Sequence, residues 1–175
     1  MGNLKMLDRL ERLELFLYRK AERIVSVTES FKRNLIGRGI DSNKINVITN
    51  GVDLSNFSPR DKDAELVGRY RLEGKCVAGY IGTHGMAHAL ETILNAADRA
   101  RLLPDGDRFR FVLLGEGANK AALKKYAEER GLNNVLFIDP VSKQEIARYW
   151  SLLDVAIIHL KKTKLFTTVI PSKLF

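Results

Sequence analysis

The sequence has one cysteine in 175 residues, no long apolar run, no internal repeat and no acidic residue after Asp154. A lone Cys76 cannot build a disulfide framework, so a stapled secreted scaffold is excluded and a reducing compartment is expected. No stretch nears the roughly 18 apolar residues of a membrane-spanning helix. Residues 1–20 interleave Arg and Glu throughout, which a signal peptide does not. Hydrophobic residues at 45% and charged residues at 29% describe a globular chain and exclude a disordered tail or a collagen-like fibre. A chain of this length buries a core without help from metals or disulfides.

The net charge of +8 is unevenly placed. Residues 1–40 carry nine basic and five acidic groups, and residues 41–160 carry sixteen of each. Residues 161–175 hold Lys161, Lys162, Lys164 and Lys173 with no acid. A nucleic-acid-binding module would spread its basic groups over a continuous face. Here the excess sits at the two ends, and no nucleic-acid partner is expected.

The spacing of Leu4, Leu7, Leu10, Leu13 and Leu17 predicts an amphipathic first helix. Its apolar face either packs on protein or lies on an anionic membrane surface over residues 4–23, and the interleaved Glu11, Glu14 and Glu22 favour packing. Ile24 to Val27 and Ile45 to Ile48 read as short strands, with a helix between them capped at Thr28 and stopped near Gly37. Residues 53–63 are polar and turn-rich and read as a linker, with a short helix following near 63–72. Strands at 75–81, 109–114, 135–138 and 155–158 then alternate with helices at 87–102, 120–130 and 142–151. Ser142 and Glu145 have capping-box spacing. Apolar strands alternating with helices define an α/β fold, a Rossmann-like parallel sheet flanked by helices. The expected division is 1–52 as a helix plus βα unit, 53–74 as linker and short helix, and 75–175 as the Rossmann-like domain. Four strands are fewer than such a sheet usually holds, and the chain reads as part of a longer protein.

In an open parallel sheet, ligands bind beyond the carboxyl ends of the strands. Three segments fall there. Gly82-Thr83-His84-Gly85 is a glycine-bearing turn before a helix, suited to an anion or to a ligand-free tight turn. Gly115-Glu116-Gly117 invites a dinucleotide reading, with Asp139 at the end of the next strand. That reading is disfavoured: Lys120 stands where the third glycine belongs, Glu116 would face a pyrophosphate, and the motif follows the second strand. Lys161 to Lys173 offers cations for a polyphosphate or forms a solvated charge run. His84 and His88 lie four apart without the intervening Glu or the third ligand of a zinc site, so no metal is expected. Cys76 reads as core.

The order of these segments carries more than any one of them. Ala21 to Lys32, followed by Ile48-Thr49-Asn50-Gly51-Val52-Asp53 through Phe57 and Pro59, resembles the domain junction of retaining GT-B glycosyltransferases of family 4 (group 1). Tyr80 to Gly85 and Val112 to Gly117 resemble the first two βα loops of that family's donor domain. Phe166 to Phe175 resembles a subgroup acting in surface-polysaccharide or lipopolysaccharide synthesis. The resemblance implies a fragment of a two-domain enzyme that moves a sugar from a nucleotide-diphosphate donor, expected to be a UDP-sugar, with retained configuration. It implies the end of an acceptor-side domain, a linker and most of a donor-binding domain, with the rest of the acceptor domain as partner. No cofactor is implied. The donor diphosphate would meet Gly82, Thr83, His84, Gly85, His88, Lys164 and Lys173. The nucleoside would meet Gly115, Glu116, Pro140, Val141 and Ser142. Two family glutamates eight apart would fall at Thr168, which is no carboxylate, and just after Phe175, so the catalytic residue is unassigned and the fragment alone is expected to be inactive. A sugar-nucleotide epimerase of the same fold is the alternative enzyme, and a basic nucleic-acid-binding module is the alternative of another class. The expected location is cytoplasmic, peripheral on the inner face of the cell membrane if the first helix meets lipid.

Overall fold

The structure, a computed structural model, describes residues 2–163, 166 and 170–174. It divides into two compact units, residues 1–52 with 162–175, and residues 53–161.

In the first unit, α1 (Gly2–Lys20) ends on Arg19 and Lys20, basic groups that suit the negative end of its dipole. The Lys44 ammonium adds to this by donating to the carbonyls of Arg19 and Ala21 at 2.9 and 3.1 Å. Strands β1 (Ile24–Ser26) and β2 (Ile45–Val47) pair in parallel, Ile24 opposite Ile45. Between them α2 (Glu29–Gly37) starts at Thr28, whose hydroxyl accepts the Phe31 N–H at 3.0 Å. Ile24, Leu35, Ile40 and Ile45 form the buried core, and Leu15, Tyr18 and Phe31 lean on it. Arg38 ties α2 to α1 through Glu14 at 2.7 Å and Glu11 at 3.3 Å. Leu7, Leu10, Leu13 and Leu17 of α1 stay more than half exposed, and Val25 and Ile48 are 62% exposed.

The second unit is built on β3 (Cys76–Ile81), β4 (Phe109–Leu114), β5 (Val135–Ile138) and β6 (Val155–Ala156), all parallel, in the order β5-β4-β3-β6. Because side chains alternate across a strand, Tyr80, Phe111 and Leu113 face one side. They pack there with Leu90, with Ile93 and Leu94 of α4 (Glu91–Ala100) and with Leu123 of α5 (Lys120–Glu129). Val77, Ile81, Val112 and Leu114 face the other side, covered by Leu66 of α3 (Ala64–Tyr70) and Tyr149 of α6 (Ile146–Trp150). Asp63 caps α3 through the Leu66 N–H at 3.0 Å and clamps Arg148 of α6 at 2.6 and 3.1 Å. The Arg148 guanidinium holds the Asp63 carboxyl at about 2, well below its ordinary value. Cys76 is a half-buried free thiol at the start of β3.

Most elements fall within a residue or two of the expected bounds, and three differences have a clear local cause. Helix α4 runs Glu91–Ala100, not 87–102, because Met86–His88 is a 3₁₀ turn and Ala89 takes a left-handed conformation (φ 44°) before the helix begins. Helix α6 starts at Ile146, not at 142. Ser142 and Glu145 do pair, the hydroxyl accepting the Glu145 N–H at 3.3 Å and donating to its carboxylate at 2.9 Å, but they close a turn before the helix. Strand β6 stops at Ala156, and the Ile157 N–H makes one more bond to the Gly79 carbonyl at 2.7 Å. The linker is locally ordered: the Asp53 carboxylate accepts the Ser55 N–H and hydroxyl at 2.9 and 2.6 Å and the Asn56 amide at 2.6 Å.

Candidate functional site

In this sheet the chain runs outward from β3 through β4 to β5, then returns to place β6 on the other side of β3. The reversal opens a crevice at the carboxyl ends of β3 and β6, the point where such sheets take ligands.

The glycine turn after β3 lines this crevice and leans on the turn after β4. The Gly82 N–H donates to the Leu114 carbonyl at 2.9 Å, and the His84 N–H to the Glu116 carbonyl at 2.8 Å. Asn119 returns a bond to the His84 carbonyl at 3.0 Å. These bonds bring the two backbones so close that a Cβ on Gly115 would overlap the Gly82 carbonyl, and one on Gly117 would lie 2.6 Å from the His84 carbonyl carbon. Gly115 (φ 143°) and Gly117 (φ 156°) also hold backbone angles that side chains disfavour. The second glycine motif therefore serves as the seat of the first. Among the described residues, the N–H groups of Thr83, Gly85, Met86 and Ala87 make no backbone hydrogen bond, so four donors of the first turn remain unspent.

His84 points inward and is fully buried. Neither ring nitrogen has a hydrogen-bond partner among the described residues. Burial pulls its pKa down, the nearby Lys120 charge adds to this, and Glu116 and the Leu114 backbone oppose it without prevailing. Tyr80, its hydroxyl donating to the Thr83 carbonyl at 3.0 Å, packs its ring near both His84 and His88. Burial pushes the Tyr80 phenol up to about 12.

Lys120, at the position of the missing third glycine, is buried. Its ammonium donates to the Gly115 carbonyl at 2.8 Å, to Glu116 at 3.0 Å and to Asp139 at 2.5 Å. Burial lowers its pKa, but the hydrogen bonds to Asp139 and Glu116 outweigh that and leave it raised. The same contacts lower the pKa of both carboxylates. Lys120, Glu116 and Asp139 thus form a charge triad at the start of α5.

The expected site residues do not all converge. Gly82, Thr83, Gly85 and His88 line the crevice, with Thr83 exposed and the others half-buried, while His84 lies beneath it. Gly115 and Glu116 belong to the supporting turn. Pro140 is exposed, Val141 packs against the second core cluster, and the Ser142 hydroxyl is engaged with Glu145. Lys164 lies outside the described residues, as do Thr168 and Phe175. Lys173 sits in a short 3₁₀ turn, Ser172–Leu174, that groups with the first unit. One crevice residue was missed: His159, just past β6, whose Nδ1 meets the His88 carbonyl. The signal for it was the strand order, which brings the end of the fourth strand beside the end of the first.

Comparison with known proteins agrees with this fold. The sequence pattern of Glycosyltransferase Family 4 matches residues 2–56. The chain is 27% identical over 157 residues to the colanic acid biosynthesis glycosyl transferase WcaI of Escherichia coli K12, covering 87% of this chain and 37% of that protein. It is 31% identical over 153 residues to a D-inositol 3-phosphate glycosyltransferase of Geodermatophilus obscurus, covering 79% of this chain and 33% of that protein. The chain thus spans about a third of the length of these relatives. Among solved structures, Anabaena Alr3699/HepE in complex with UDP-glucose superposes with a TM-score of 0.69 at 17% identity, over 83% of this chain and 40% of that one. The fold is that of the GT-B glycosyltransferases. Within them it is similar to the family 4, group 1 enzymes.

Proposed function

We propose that the chain is the donor-binding part, with the adjoining end of the acceptor side, of a retaining glycosyltransferase that takes its sugar from a nucleoside diphosphate. The observation that carries this reading is the turn at Gly82 to His88 beside β6, held on a rigid seat while the N–H groups of Thr83, Gly85, Met86 and Ala87 make no backbone hydrogen bond among the described residues. Such donors suit a diphosphate without a resident metal. The similarity to HepE, which was crystallised with UDP-glucose, favours UDP as the carrier. The relationship to WcaI favours a role in surface-polysaccharide synthesis, with lipopolysaccharide assembly as the neighbouring possibility.

Isothermal titration of the 175-residue chain with UDP tests the reading. Binding is expected, with amide shifts at Gly82 to His88 and the same affinity in EDTA. Saturating UDP that leaves those amides unmoved would sink it, and loss of binding in EDTA would sink the metal-free part.

The first unit fits the acceptor-side role. A parallel sheet is normally covered on both faces, yet Val25 and Ile48 are exposed, as are Leu7, Leu10, Leu13 and Leu17 of α1. We infer that the rest of an α/β acceptor domain covers these surfaces, with a membrane face as the competing occupant. No helix among the described residues is long and apolar enough to cross a membrane.

A further inference from the structure

Two histidines at the crevice are joined in a way that neither glycine turn explains. The Nδ1 of His88 lies 3.2 Å from the His159 carbonyl oxygen, and the Nδ1 of His159 lies 2.6 Å from the His88 carbonyl oxygen. A carbonyl only accepts, so both rings must carry their proton on Nδ1. The Lys161 N–H adds a third link, to the Ala87 carbonyl at 2.9 Å. These bonds lie just where the β3–β6 ladder gives out: β6 pairs for two residues, and Ile157 makes the last sheet bond. Past that point two strands of a twisted sheet diverge, and nothing in the ladder holds the turn after β3 to the chain after β6.

We propose that His88 and His159 form a reciprocal clasp across the donor crevice, and that His159 is a positioning residue for nucleotide binding. The clasp fixes the distance between the two lips of the crevice before ligand arrives, so binding does not have to order them. The Nε2 atoms make no hydrogen bond among the described residues and are not sealed from solvent. Each imidazole thus holds a loop with one nitrogen and keeps the other uncommitted at the edge of the site. This inference rests on the donor-site reading above.

The geometry makes the test sharp. The side-chain amide nitrogen of Asn sits the same number of bonds from the backbone as Nδ1, whereas that of Gln corresponds to Nε2. His159→Asn should therefore keep the clasp, and His159→Gln and His159→Ala should break it. UDP affinity of the full chain, measured by calorimetry, is expected to fall about tenfold in the Ala and Gln variants, the size of one to two lost hydrogen bonds. In the Asn variant it should stay within about threefold. Long-range proton–nitrogen NMR of the unliganded parent at pH 8 should show both rings as the Nδ1–H tautomer. Nε2–H tautomers for both rings would overturn the clasp. So would parent-like affinity in the Ala variant, or an equal loss in Asn and Ala. A parent chain that binds no UDP would sink the donor-site reading itself, a result distinct from a parent that binds while the variants do not differ.

Discussion

His84 is the residue whose chemistry is least at ease. Its ring is sealed in, neither nitrogen has a hydrogen-bond partner among the described residues, and an unsatisfied buried polar group costs about 1–3 kcal/mol. Leucine removes that cost at similar volume, so His84→Leu should raise the unfolding free energy by about 1–2 kcal/mol in urea titration. Unchanged or lower stability would mean the ring is satisfied. The pH dependence has a definite sign. The folded state holds His84 below its ordinary 6.5, so the unfolded chain binds the proton first. Stability is therefore full above 6.5 and declines as pH falls from 6.5 toward the depressed folded value. The difference between parent and leucine variant should grow over that interval, and a constant difference would contradict it.

At the scale of elements, the pairing of the two glycine turns explains why glycines recur where no dinucleotide fits. Gly115→Ala would drive a methyl into the Gly82 carbonyl and separate the turns. It should cost about 3 kcal/mol or more. Gly131, at the end of α5, also has a positive φ (60°) but open space around it, so Gly131→Ala should cost only about 1 kcal/mol. Thermal unfolding of the pair separates steric overlap from backbone strain, and equal losses would show that the turns do not depend on close approach. Much of this architecture was legible from the chain alone. The four apolar runs marked β3 to β6, Thr28 marked the start of α2, and Gly82 and Gly85 marked the turn after β3. The failures have a common physical cause. The partner of Gly115 lies 33 residues upstream, that of His159 lies 71 upstream, and Lys120 gained its meaning only when β4 and β5 came side by side. Local patterns carry periodicity and caps, whereas these roles depend on neighbours that the strand order supplies. Ala89 is a different failure: nothing about an alanine announces a left-handed backbone, and its setting delayed α4.

For the whole molecule, the two units differ in how much they bury. The first has two three-residue strands and a core of Ile24, Leu35, Ile40 and Ile45. The second has a four-stranded sheet with a core cluster on each face. Opening free energies follow buried apolar surface. Amide exchange should therefore be slowest in β3 and β4 and at least about tenfold faster in β1 and β2. Uniform protection would show that the small unit borrows its stability from elsewhere.

Strand β5 lies at one margin of the sheet, and its sequence, Val135-Leu136-Phe137-Ile138, is uncharged and β-prone. Such a margin can template a foreign strand and seed aggregation. Its own ends limit that hazard. The strand is four residues long, Asn134 before it is pinned by its amide to the Ala97 carbonyl at 2.8 Å, and Asp139-Pro140 follows at once. A growing fibril strand would meet a carboxylate and then a residue with no N–H to offer. Asp139 and Pro140 thus stand at this margin as breaks against the addition of a further strand.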